Sequence, residues 1–198
     1  PWTVACYMIE GGGSETFEKA RHLARSNPAE FEKLIDRIIT ATLVYLEGQI
    51  EAGAEVIQLF DSWASKCDNF QRWVTEPTAA IVMILKAKYP HIPIIGFPRK
   101  ASQQQLATYG VHTGVNGISL DQDVDLDWAT STLARKAALQ GNLDPDLLIK
   151  GGAEMEAATR NILEHAKKRP WIFNLGHGVD KTTPPEHAEQ LLKIIRAG

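Results

Sequence analysis

The sequence predicts an α/β fold, a (β/α)8 TIM-type barrel present in part, with about five of eight βα units in a single domain over residues 1–198. Three observations predict it. Helical and strand-like segments alternate along the chain, as sequential βα units do. The strand candidates are nearly continuous apolar runs, the pattern of strands buried on both faces of a parallel sheet. Polar groups suited to a site follow each run, and a barrel builds its site at the rim where its strands end.

The elements follow in order. Ser14, after Gly11-Gly12-Gly13 and before Glu15 and Glu18, marks a helix start, with the glycines as a flexible approach. Asn27-Pro28-Ala29-Glu30 supplies an N-cap, a proline at the first helical position and an acid at the third. That helix should run to about Glu51, stop at Gly53, and carry an apolar stripe of Leu34, Ile35, Ile38, Ile39, Thr42, Leu43, Tyr45 and Leu46. Glu76-Pro77 and Asp144-Pro145 mark further starts, and Pro77 should break the 70–88 segment in two. Thr183-Pro184-Pro185-Glu186 opens the last helix as a capping box. Strands are expected over Glu55–Phe60, Ile92–Phe97, Val115–Leu120, Ala137–Gln140 and Trp171–Leu175. An open doubly wound sheet also fits this alternation, but no GxGxxG follows a strand. The polar strand ends favour the barrel: Asp61-Ser62, Arg99-Lys100, Asp121, Gln140-Gly141-Asn142, and Asn174 to His177. Five strands fall short of eight, and the chain opens on Pro1-Trp2 without a Met, so the expectation is that three strands are missing upstream.

Bulk properties exclude several function classes. The net charge is -3, and no basic run or face stands out for nucleic acid. No apolar stretch is long enough to span a bilayer, and no signal peptide pattern precedes the first helix. The two cysteines, Cys6 and Cys67, belong to no CxxC; they fit free thiols in a reducing compartment, hence a cytoplasmic location.

Four segments stand out. They are Pro1-Trp2-Thr3 with Tyr7-Met8-Ile9-Glu10-Gly11-Gly12-Gly13-Ser14, then Gln58-Leu59-Phe60-Asp61-Ser62-Trp63-Ala64. Leu139 to Pro145 follows, and last Phe173-Asn174-Leu175-Gly176-His177-Gly178 with Thr183-Pro184-Pro185-Glu186. Together these segments resemble the uroporphyrinogen decarboxylase family, and four in order across nearly the whole chain make the resemblance specific. Three departures stand against it. The family's N-terminal arginines, and the aspartate that faces the pyrrole nitrogens, have no counterpart. Phe97 to Ala101 matches only loosely, and Gln122 stands where the family carries Trp after Leu120-Asp121.

The resemblance implies removal of four acetate carboxylates from uroporphyrinogen, giving coproporphyrinogen and carbon dioxide. It implies no metal, no organic cofactor and a possible homodimer. Protonating a pyrrole carbon makes the ring an electron sink, so the protein has to hold carboxylates, steady a cationic ring and deliver a proton. The resemblance makes Tyr7 and His177 catalytic and Tyr7, Phe60, Ser62 and His177 substrate-binding. Tyr7, Ser62 and His177, remote in the chain, are then expected to converge on one cavity.

Each residue has an ordinary reading beside this one. A tyrosine here is commonly a packed core residue with its hydroxyl satisfied. Ser62 also suits a turn or helix cap, and both roles are compatible. A lone histidine is commonly structural, but Gly176 and Gly178 strip bulk from around His177. Asp61 either lines the cleft wall with Phe60 or caps the next helix. Asp121, Gln140 and Asn142 read as hydrogen-bonders of βα loops. Asp144 reads as an N-cap and Arg99-Lys100 as a solvated pair. Asp121, Asp123, Asp125 and Asp127 alternate, but lack the glycine and distal glutamate of a calcium loop.

Two rivals remain. One is a cobalamin-linked methyltransferase of the same fold, which needs a His-x-Cys and a later cysteine to hold zinc; neither cysteine here follows a histidine by two. The other is an inactive fragment of the decarboxylase, whose exposed strand edges pair with a second copy.

Overall fold

The computed structural model describes residues 1–197. The chain forms two compact units, Pro1–Asn116 and Gly117–Gly198.

The first unit opens with three helices: α1 (Trp2–Glu10), α2 (Glu18–Ser26) and α3 (Pro28–Glu51). Helix α1 was not among the sequence expectations. It ends where Gly11 turns left-handed at φ 77 and donates its N–H to the Tyr7 carbonyl, a conformation glycine adopts without a Cβ penalty. The glycines are therefore a helix terminus and turn. Ser14 does not start the next helix either. Its Oγ accepts from Phe17 N at 3.0 Å, and α2 begins four residues after it, at Glu18. Glu10 reaches over to satisfy the N-terminus of α2, accepting from Lys19 N at 2.8 Å and Ala20 N at 3.2 Å. The third helix runs as expected, with Asn27 accepting from Glu30 N at 3.4 Å. Phe31, Ile35, Ile38 and Leu46 form its buried stripe, whereas Tyr45 faces solvent.

Strand β1 (Ile57–Asp61) pairs in parallel with β2 (Ile94–Pro98), Ile57 opposite Ile94 and Asp61 opposite Pro98. Between them lie a 3₁₀ turn at Ala64–Lys66, a π-helical stretch Gln71–Thr75 and α4 (Glu76–Lys88). The expected break at Pro77 is this change from wide to regular helix, with Pro77 in the first turn, where no donor is lost. Helix α5 (Gln103–His112) starts with a Ser102–Gln105 capping box. An aromatic core joins these pieces: Trp2 to Phe31 at 5.7 Å between centroids, Phe31 to Trp73 at 4.8 Å and Phe17 to Trp63 at 4.8 Å.

The second unit holds β3 (Gly117–Ser119), α6 (Leu126–Thr132), β4 (Ala138–Leu143), α7 (Pro145–Lys150), α8 (Gly152–Ala166), β5 (Trp171–Leu175) and α9 (Pro185–Ala197). β3 pairs with β4 and β4 with β5, both parallel, with Ile118 opposite Leu139 and Leu139 opposite Trp171. Neighbours in chain order linked through helices suit a barrel segment, since an open doubly wound sheet reverses strand order at a switch point. The fold is α/β with parallel strands, and the five strands among the described residues make an incomplete barrel. Asp125 and Asp144 cap α6 and α7, accepting from Trp128 N at 2.7 Å and Asp146 N at 2.9 Å. Thr183 does not act as the expected cap: its hydroxyl is buried without a hydrogen-bond partner, and α9 begins at Pro185. The Arg169 guanidinium closes the far end of α6, donating to the carbonyls of Leu133, Ala134 and Ala137.

The core of this unit gathers Leu143, Leu148, Met155, Ile162, Leu175, Leu191 and Ile194. Met155 is fully buried there. Met155→Ala is expected to destabilise the protein by about 2–5 kcal/mol, seen as a lower urea midpoint with an unchanged slope; a midpoint equal to that of wild type would refute this core.

Candidate functional site

In the first unit, the candidate residues surround the end of β1. Asp61 closes the strand and is buried at 6% exposure. Its Oδ1 accepts from both the backbone N–H of Thr3, at 3.0 Å, and the Thr3 hydroxyl. Asp61 therefore neither lines an open wall nor caps the helix after it; it caps α1, where the free N–H groups and positive helix end favour a carboxylate. The same Thr3 hydroxyl accepts from Trp63 N at 2.9 Å, and Trp2 Nε1 donates to the Trp63 carbonyl at 3.0 Å. Trp63 Nε1 in turn donates to the Tyr7 hydroxyl at 2.6 Å. Tyr7 is 41% exposed, its ring edge-on to Phe17 at 6.0 Å. Ser62, half-buried, sits between Asp61 and Trp63 in this same turn. Phe60 is exposed and packs edge-on to Phe97 at 6.0 Å.

Tyr7 is thus tied through Trp63 and Thr3 to Asp61, and Ser62 lies between Asp61 and Trp63 in the chain. Sequence reasoning passed over Trp63 as a site residue. Its position directly after Ser62, in a segment already singled out, was the available signal.

In the second unit His177 follows β5 and is exposed, in the turn after Leu175 and Gly176. Gly176 donates its N–H to the Leu143 carbonyl at 2.8 Å, and a Cβ there would collide with the backbone of Gln122. Gly176 is thus demanded by a close approach, and that approach anchors the turn carrying His177. Gln140 and Asn142 are not loop residues but buried members of β4. Gln140 Nε2 donates to Ser119 Oγ at 3.2 Å; Asn142 Nδ2 donates to the carbonyls of Asp121 at 2.9 Å and Val124 at 3.0 Å. Gly141 between them adopts φ 131, with the Leu120 carbonyl against the place a Cβ would take. A cavity of about 320 Å³ opens beyond β4, lined by Gln122, Asp125, Asn142, Asp144, Asn161 and His165 among others. His177 is not one of its walls.

The two cysteines are free thiols. Both are buried. Burial, then the Asp61 and Glu10 carboxylates, push the Cys6 thiol up to about 12. Burial first and Asp61 second push the Cys67 thiol up as well. A thiol held neutral in the fold stabilises it below the unfolded thiol value of about 8.5 and loses that contribution as pH climbs towards 12. The urea midpoint is therefore expected to fall between pH 9 and pH 11. Cys6→Ala should flatten that fall whatever its effect at pH 7; an equally steep fall in the variant would refute the assignment.

Comparison with known proteins places these motifs in context. The sequence pattern of the family described as Uroporphyrinogen decarboxylase (URO-D) matches residues 1–198. The uroporphyrinogen decarboxylase of Novosphingobium aromaticivorans is 47% identical over 198 residues, covering 99% of this chain and 58% of the relative. That of Granulibacter bethesdensis is 48% identical over 198 residues, covering 99% of this chain and 57% of the relative. The chain thus spans a little under three-fifths of the length of these relatives. Among solved structures, a methyltransferase from Methanosarcina mazei superposes with a TM-score of 0.75 at 18% identity, over 89% of this chain and 52% of that one. At that identity the likeness is one of fold. The match of the whole length to one family pattern, with relatives at nearly half identity throughout, establishes that this chain belongs to the uroporphyrinogen decarboxylase family.

Proposed function

We propose that this chain serves the decarboxylation of the four acetate side chains of uroporphyrinogen to coproporphyrinogen, in tetrapyrrole biosynthesis. The observation that carries the proposal is the family match over all 198 residues. Tyr7 and Ser62 hold hydroxyls near the end of β1, Phe60 offers an exposed ring on that strand, and His177 stands exposed after β5. Hydroxyl and imidazole donors suit carboxylates, and an exposed aromatic face suits a flat tetrapyrrole. In this reading Tyr7, Phe60, Ser62 and His177 bind the substrate, and Tyr7 and His177 also act in the chemistry. No metal or organic cofactor is called for, because the protonated pyrrole takes up the electron pair released with carbon dioxide.

The remaining expectations form part of the same proposal. Residues 1–198 behave as one domain, unfolding in a single calorimetric transition. The protein works in the cytoplasm and pairs as a homodimer. No helix among the described residues is long and apolar enough to cross a membrane. The chain by itself does not decarboxylate, since the family's arginines and ring-facing aspartate have no counterpart in its sequence. The methyltransferase reading has less support: the likeness to the Methanosarcina protein is one of fold, and both thiols are buried.

The test joins this chain to the part of the Novosphingobium relative outside the match. With uroporphyrinogen, the fusion is expected to yield coproporphyrinogen, and the 198-residue chain alone to yield none. A folded fusion that leaves uroporphyrinogen unchanged would sink the reading. In the active fusion, Tyr7→Phe and His177→Ala should each lower kcat/KM roughly 10- to 100-fold, the worth of a hydrogen bond to a charged group. Ser62→Ala should cost about tenfold. Any of the three with wild-type kinetics loses its assigned role.

A further inference from the structure

We propose that Trp63 is a positioning residue for Tyr7, whose indole N–H fills the acceptor side of the phenol oxygen and leaves the Tyr7 O–H to donate to a carboxylate of the ligand. The ligand half of this rests on the functional reading above.

The geometry separates what Trp63 needs from what it gives. Three contacts already fix it. Its N–H donates to the Thr3 hydroxyl at 2.9 Å, its carbonyl accepts from Trp2 Nε1 at 3.0 Å, and its ring lies 4.8 Å from that of Phe17. Thr3 is itself held by the buried Asp61 carboxylate. The fourth contact runs from Nε1 to the Tyr7 hydroxyl at 2.6 Å, on the far side of the indole from the backbone contacts. Its effect falls on Tyr7. An indole N–H donates only, whereas a phenol oxygen both accepts and donates. Once the oxygen has accepted from Trp63, its proton must point elsewhere, and Tyr7 has no second hydrogen-bond partner among the described residues. At 41% exposure the ring reaches solvent, so that proton is open to a ligand. Accepting from Trp63 also polarises the O–H and strengthens it as a donor. The group this arrangement favours is an acceptor with no proton of its own, namely a carboxylate.

Two measurements test it on the chain as it stands. The first is the indole region of a ¹H–¹⁵N spectrum, where five tryptophans give five resonances. Trp63→Phe identifies the Trp63 peak by its loss. Tyr7→Phe should then move that peak upfield and leave those of Trp128 and Trp171 in place; an unmoved Trp63 peak overturns the pairing, with or without a ligand. The second is a double-mutant cycle on the binding of uroporphyrin, the stable oxidised form of the substrate. Trp63→Phe is expected to weaken binding about fivefold in the wild-type background and to have no further effect in Tyr7→Phe. An undiminished loss in the Tyr7→Phe background would mean that Trp63 acts by some other route, and overturns the proposal. If the chain alone does not bind uroporphyrin, the same cycle is read on kcat/KM in the fusion, where an unchanged value in Trp63→Phe overturns the ligand half and leaves the functional reading intact. An inactive fusion sinks that reading, and the indole peak still decides the pairing.

Discussion

The first unit is organised around one buried carboxylate. Asp61 ends β1 and, through Thr3, holds the first turn of α1 against the strand. A carboxylate in that place satisfies donors that the helix cannot satisfy itself, and it meets the positive end of the helix. Everything that follows inherits this fixation. The Thr3 hydroxyl orients Trp63, Trp63 reaches Tyr7, and the left-handed Gly11 then ends α1 one turn beyond Tyr7. The exposed tyrosine is therefore held by a chain of polar contacts that begins in the interior.

The second unit uses close approach instead of charge. β4 carries two amides inward, Gln140 and Asn142, and both find partners on the β3 side: a serine hydroxyl and two carbonyls. Buried amides without partners would cost more than the strand could return. Gly141 and Gly176 allow backbones to approach where a side chain would collide. The result is a rigid strand end next to the turn that bears His177.

What the sequence disclosed depended on whether its signals were local. Helix α3 was legible because Asn27, Pro28 and Glu30 form a complete start within four residues. Helix α1 was not, because Val4, Ala5, Cys6, Met8 and Ile9 offer no polar face from which a period could be counted. Ser14 misled because a hydroxyl capping a turn and one capping a helix look alike in one dimension. Strand β4 was seen but cut short at Gln140, since Gly141 and Asn142 resemble a turn until their partners across the sheet are known. The site residues came from resemblance more than from chemistry. Tyr7 does join a network through Trp63; the place of Trp63 in a quoted segment was legible but its role was not, since nothing in a sequence separates an indole that only packs from one that also donates.

Arg169 illustrates a different economy of design. Its guanidinium grips the turn after α6 solely through main-chain oxygens, those of Leu133, Ala134 and Ala137. Every residue type carries such an oxygen, so the grip is blind to which side chains the turn displays. The exposed Arg135 and Lys136 can change without loosening the hold, whereas Arg169 cannot. A lysine there would offer a point charge in place of a planar fork and would leave carbonyls without donors.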